Sequence, residues 1–258
     1  MEVINKDYYQ SALTCFQSGD FQQAENELQN LINAGAIDYD VFNFLGVIAL
    51  HKCDYINAKE YFTKVLDVYP QHPEVNYHYG YALQNLQKYE EAVKAYKTTI
   101  KNLPQNFDAL NNLGLAYLSL KNYTAAEKYF LLAIQNSPSN PKALNNIGNL
   151  YFVVEEYGKA EEYYEFALNG DSSNKDYKFN LAFSYHKGGN YTKALRLYSE
   201  LISKDRNDIK ILNNLSSLYI TIKEFEKARN IYEEILKSNI DSICLTTEVK
   251  KRLEFLKQ

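Results

Sequence analysis

The sequence predicts an all-α solenoid in which helical hairpins stack one on the next. Seven alanines, Ala24, Ala58, Ala92, Ala126, Ala160, Ala194 and Ala228, recur at an unbroken spacing of 34 residues. One supersecondary unit is therefore repeated along nearly the whole chain. Small residues form a second column at the same period: Ala12, Gly46, Gly80, Gly114, Gly148, Ala182 and Ser216. Within a unit, apolar residues recur three and four apart, the spacing of amphipathic helices.

Cut at this period, the chain gives a short lead and seven units: 5–38, 39–72, 73–106, 107–140, 141–174, 175–208 and 209–242. Each unit opens with a first helix, as Leu110, Leu113, Ala116 and Tyr117 illustrate. A short polar turn follows, near Leu120 to Tyr123 in the fourth unit. A second helix then carries Tyr123, Ala126, Phe130, Ala133 and Ile134 on one side. Pro70, Pro104 and Pro138 come after second helices, because a proline ring cannot continue the hydrogen-bond ladder. Residues 243–258 read as a capping segment, with a helix near Thr246 to Lys257 that turns Leu245, Val249, Leu253 and Leu256 inward.

These columns resemble the tetratricopeptide repeat family, with its 34-residue units, small eighth and twentieth residues and late proline. The resemblance covers roughly residues 5–240 and implies a right-handed superhelix whose first helices line a groove. The sequence departs from the family pattern in having no tryptophan at the fourth position. Proline is also missing at Ala36, Ser172, Arg206 and Ile240.

Composition narrows the function to binding. A net charge of −4 argues against a nucleic-acid partner, which would need an excess of Lys and Arg on one face. No apolar run reaches the roughly 18 residues needed to cross a bilayer, so membrane insertion is not expected. The opening MEVINKDYYQ lacks the pattern of a signal peptide, and the expected location is cytoplasmic. Cys15, Cys53 and Cys244 form no paired spacing, and the four histidines form no metal motif. No phosphate loop, zinc helix, serine elbow or kinase set is present, so neither catalysis nor a cofactor is expected. Thirteen of the 24 tyrosines fall in the eleventh, seventeenth and twenty-fourth columns, where helix packing accounts for them.

The informative variation lies on the first helices. The sixth column holds Asn112, Asn146, Asn180 and Asn214, and the fifth holds Asn43, Asn111, Asn145 and Asn213. Eight of these 14 sites are therefore asparagine, where the composition alone would place about 1.5. Asparagine costs roughly 0.6 kcal/mol in a helix interior relative to alanine, so packing or binding must compensate. Copying of one ancestral unit is one cause. The other is that a carboxamide, being both donor and acceptor, can hold a peptide main chain. The column resembles the asparagine ladder in the repeat domains of O-linked N-acetylglucosamine transferases, which implies a groove for an extended peptide.

A second use within the family, a carboxylate clamp, requires a fifth-column lysine that is missing here. Asn146 with Asn149, near Lys142, remains suited to an acidic group. The second column changes from Asp40, Glu74 and Asp108 to Lys142, Asp176 and Lys210, and Lys187 adds a further positive charge. The expected site is thus Asn112, Asn146, Asn149, Asn180 and Asn214 with Lys142, Lys187 and Lys210, holding a protein or peptide partner. The alternatives are an assembly scaffold that uses convex or end surfaces, self-association included, and a regulatory or substrate-delivering subunit of a separate enzyme.

Overall fold

The computed structural model describes residues 2–35, 39–237 and 249–254. The described chain divides into two bodies, 1–138 and 139–258. The first body contains α1 (Glu2–Gln17), α2 (Phe21–Asn33), α3 (Tyr39–His51), α4 (Tyr55–Leu66), α5 (Pro73–Asn85), α6 (Tyr89–Asn102), α7 (Phe107–Ser119) and α8 (Tyr123–Asn136). The second contains α9 (Pro141–Val153), α10 (Tyr157–Gly170), α11 (Lys175–Lys187), α12 (Tyr191–Lys204), α13 (Ile209–Thr221) and α14 (Phe225–Lys237), followed by helical residues 249–254. From α3 onward every first helix begins where a repeat was cut, and α1 extends into the N-terminal lead.

Second helices begin at Phe21, Tyr55, Tyr89, Tyr123, Tyr157, Tyr191 and Phe225, the seventeenth column of the repeat. Just before them the chain must reverse. Residues 19, 53, 87, 121, 155, 189 and 223 all have positive φ, and only Gly19 and Gly189 are glycine. Cys53, Gln87, Lys121, Glu155 and Lys223 hold φ of 57 to 64° at a cost that glycine avoids.

Side-chain caps then start many helices. Asp20, Asp54 and Asn122 accept backbone N–H groups of α2, α4 and α8, while Asn106, Asn140, Asn174 and Asp208 do so for α7, α9, α11 and α13. Asn122 and Asn190, which begin two Asn-Tyr-Thr sequons, are both N-cap residues.

Helices that lack the late proline still end in register. After α10 the Asp171 carboxylate accepts the Ser173 N–H at 3.2 Å, and after α12 Asp205 accepts that of Asn207 at 3.2 Å. These short side-chain turns replace the proline as terminators.

The alanine ruler lies at the helix contacts, since all seven alanines are fully buried. The eighth column faces the twenty-fourth. A Cβ added at Gly46, Gly80, Gly114 or Gly148 would stand 2.5 to 2.8 Å from the ring of Phe62, Tyr96, Phe130 or Tyr164. Glycine is required there because the ring fills the place of its side chain. Val249 and Leu253 are buried with Leu212, Ala228, Tyr232 and Ile235, while Leu245 and Leu256 lie outside the described residues. Cys244 lies outside them as well.

Each helix packs on its hairpin partner and, within each body, on the next hairpin. First helices also touch one another: α3 meets α5 and α5 meets α7 in the first body, and α9 meets α11 and α11 meets α13 in the second. Each body therefore presents a continuous first-helix face.

Candidate functional site

The sixth-column asparagines occupy unlike environments. Asn112, in the first body, is 4% exposed, and its Oδ1 accepts from the Asn111 amide at 3.4 Å. Burial pushes the Tyr77 phenol up to about 12, with Asp108 adding to the effect. In the second body Asn146 is buried, whereas Asn180 and Asn214 are half-buried.

Asn180 donates to the Asn145 Oδ1 at 2.9 Å and to the Asn149 Oδ1 at 3.5 Å, tying α11 to α9. The Tyr164 hydroxyl also donates to the Asn149 Oδ1, at 2.7 Å. Asn214 instead donates to the Lys210 carbonyl of its own helix at 2.8 Å. The cause stands one repeat earlier. The fifth residue of the preceding unit, Asn145, offers an oxygen to Asn180. Phe179 offers none to Asn214.

Asn145 and Asn180 therefore serve a contact between repeats, and the bond offsets the helix cost of the residues that make it. Asn145, Asn149 and Asn180 are brought together. Asn112 lies in the other body.

Lys142, Lys187 and Lys210 are exposed, and none makes an ion pair among the described residues. The Lys210 Nζ lies 3.9 Å from the centre of the Phe179 ring, and the Lys187 Nζ lies 5.5 Å from that of Phe183. Cation–π attraction accounts for both placements. Phe183 packs against Phe152 at 5.1 Å between ring centres and against Phe179 at 6.0 Å.

Phe152 and Phe183 are half-buried and form an apolar strip on the first-helix face that the sequence reading had missed. Its only signal was the change of the ninth and twelfth columns to phenylalanine. His186 closes the strip. It is buried, its Nε2 lies 3.4 Å from the Thr221 Oγ1, and burial together with Lys187 lowers its pKa. Among the described residues no group of three or more His, Cys, Asp or Glu could hold a metal, and no helix is long and apolar enough to cross a membrane.

Repeated hairpins with a continuous first-helix face define a solenoid of the protein-interaction class. The chain belongs to the tetratricopeptide repeat family, whose profiles match residues 39–72, 80–141, 145–209 and 185–242. No curated protein is significantly similar to it in sequence. Among solved structures it is similar to a tetratricopeptide repeat protein from Parabacteroides merdae, with 17% identity, 99% of each chain covered and a TM-score of 0.74. It is also similar to PilW, a type IV pilus biogenesis factor, at 17% identity over 82% of this chain and 98% of that one, with a TM-score of 0.75. A third is YrrB, described as having an unusual peptide-binding site, at 18% identity over 75% of this chain and all of that one, with a TM-score of 0.60. Identities this low establish the shared fold alone.

Proposed function

We propose that this chain is a non-catalytic, protein-binding module whose second body holds an extended peptide on its first-helix face. The observation that carries the reading is three exposed lysines with no carboxylate partner among the described residues, Lys187 set over half-buried Phe183 and Lys210 over Phe179. In this reading acidic residues of the partner meet Lys142, Lys187 and Lys210. An apolar residue lies on the phenylalanine strip. Asn149, Asn180 and Asn214 hold the main chain, while buried Asn112 and Asn146 position their neighbours.

Packed helices lie about 8–10 Å apart and an extended chain advances about 3.3 Å per residue, so three first helices span about seven residues. The peptide-binding description of YrrB supports this use of the fold. The exposed Cys53 thiol suits a reducing compartment, which favours the cytoplasm.

Panning random peptides of about seven residues on the full chain tests the reading. Selected sequences should pair Asp or Glu with an apolar residue. The joint variant Lys142→Ala, Lys187→Ala and Lys210→Ala should bind them at least about tenfold more weakly, the loss of about 1.4 kcal/mol. Basic winners, or unchanged binding by a folded variant, would overturn it.

A scaffold role finds support at Phe166, which is 49% exposed on α10 with the Tyr163 ring 6.5 Å away. On that reading Phe166→Ser abolishes capture of partners, or of a second copy, that the lysine variant retains.

A further inference from the structure

The first body carries a second cleft, unlike the first-helix face of the other body. Between α3 and α5 a space of about 240 Å³ is lined by Val47, Leu50, His51, Tyr77, His78 and Tyr81. Four of these six side chains are aromatic or imidazole rings. His51 stacks on Phe21, with ring centres 5.1 Å apart, and His78 stacks on Phe62 at 5.8 Å. Neither imidazole makes a hydrogen bond among the described residues.

The cleft has negative charge near it and no cation in its wall. Glu74 lies one turn before His78 on α5 and acts on it electrostatically, and Asp108 from α7 acts on Tyr77. The basic residue next in sequence to the wall, Lys52, is held by Glu25 at 2.6 Å. The other packed helices supply rings: α4 places Tyr55 6.5 Å from Tyr81, and α6 places Tyr96 6.2 Å from Tyr77. Burial lowers the pKa of His78, and His51 lowers it further against the opposing pull of Glu74. Near neutral pH His78 is thus held uncharged in an aromatic wall, with carboxylates beside it.

We propose that this cleft receives a cationic side chain of a partner, an arginine or lysine, and releases it when His78 takes up a proton. Ring faces attract the cation, and Glu74 supplies the opposite charge. The same body already uses this pairing internally, since the Lys64 Nζ lies 4.8 Å from the centre of the Phe42 ring and the Lys97 Nζ lies 5.5 Å from that of Tyr117. An imidazolium group at His78 in the wall would repel the guest. Affinity therefore falls as pH falls, opposite to the behaviour expected of a carboxylate guest.

The probe is the blocked peptide acetyl-Ala-Arg-Ala-amide, added to the labelled full-length chain while the His51, His78 and Tyr81 ring signals are followed by NMR. Near pH 7.5 these signals should shift saturably, and the dissociation constant should rise at least about twofold near pH 5.5, one pH unit below the ordinary histidine value of about 6.5. Tyr81→Ala and Glu74→Gln, both changes of exposed side chains, should each weaken binding about threefold or more. In the variant His78→Gln the ratio between the two pH values should collapse towards one. The proposal is overturned by the absence of a saturable shift, by tighter binding at the lower pH, or by preference for acetyl-Ala-Glu-Ala-amide.

Discussion

The two bodies share their packing and differ on their first-helix faces. Both bury the same alanine column, and both set an eighth-column small residue against a twenty-fourth-column side chain. Yet the second column reads Asp40, Glu74 and Asp108 in one and Lys142, Asp176 and Lys210 in the other. Imidazoles and phenols face the cleft of the first body, while phenylalanines and carboxamides face outward from the second. Packing fixes the columns where helices touch. Columns between those contacts are free to diverge, and that is where binding chemistry is written.

The largest effect should come from breaking what the bodies share. Phe130→Ala leaves a hole opposite Gly114, where the ring stands in for a side chain, and should cost about 3–5 kcal/mol in denaturant unfolding. Gly114→Ala presses a methyl group into that ring and should cost about 1–3 kcal/mol. The second body offers the contrast, because Ala182 already carries a Cβ at the equivalent place and is fully buried. Ala182→Gly should therefore destabilise as well, which would show that each small residue is fitted to its own ring.

The next effect separates two buried tyrosines of the same column. The Tyr164 hydroxyl bonds to Asn149, whereas that of Tyr198 is buried without a hydrogen-bond partner among the described residues. Tyr164→Phe should cost about 1–2 kcal/mol and also loosen Asn149. Tyr198→Phe should be neutral or stabilising, because it removes a polar group that gains nothing from the fold. Equal losses at the two positions would contradict this difference.

Much of the architecture was legible in the sequence, because contact columns tolerate few residue types. The alanine period located the buried contacts, and the repeat cuts coincide with the first residues of α3, α5, α7, α9, α11 and α13. The turn column was not legible. Cys53, Gln87, Lys121, Glu155 and Lys223 carry no glycine signal although their backbones adopt the conformation glycine favours. Nor could the sequence separate Asn180 from Asn214, since which acceptor each carboxamide reaches is set by how neighbouring first helices pack. Phe152 and Phe183 were overlooked because apolar residues on a packed helix look like core until exposure is known.

The turn gives a smaller test of the same point. Gly189→Ala should cost about 1 kcal/mol, since alanine must then hold a φ of 85°. Lys121→Gly should raise the unfolding free energy by a few tenths of a kcal/mol, as relief of backbone strain slightly exceeds the entropy added to the unfolded chain. A loss at Lys121 would mean that its side chain contributes more than its backbone costs.

The smallest effect at neutral pH distinguishes the bodies through their histidines. Burial lowers the pKa of His78 in the first body and of His186 in the second, so the folded chain resists protonation at both. The unfolded chain takes up those protons near the ordinary histidine value of about 6.5. Stability should therefore be level from about pH 8 to 7 and decline as pH falls through about 6.5, because the unfolded state then binds more protons. His186→Leu removes the contribution of the second body and should flatten that decline while leaving the binding of the arginine probe unchanged. His78→Leu should flatten it too, but should also reduce the pH dependence of probe binding, because His78 lines the cleft. If the two variants behaved alike in the probe experiment, the cleft would not be the probe's site.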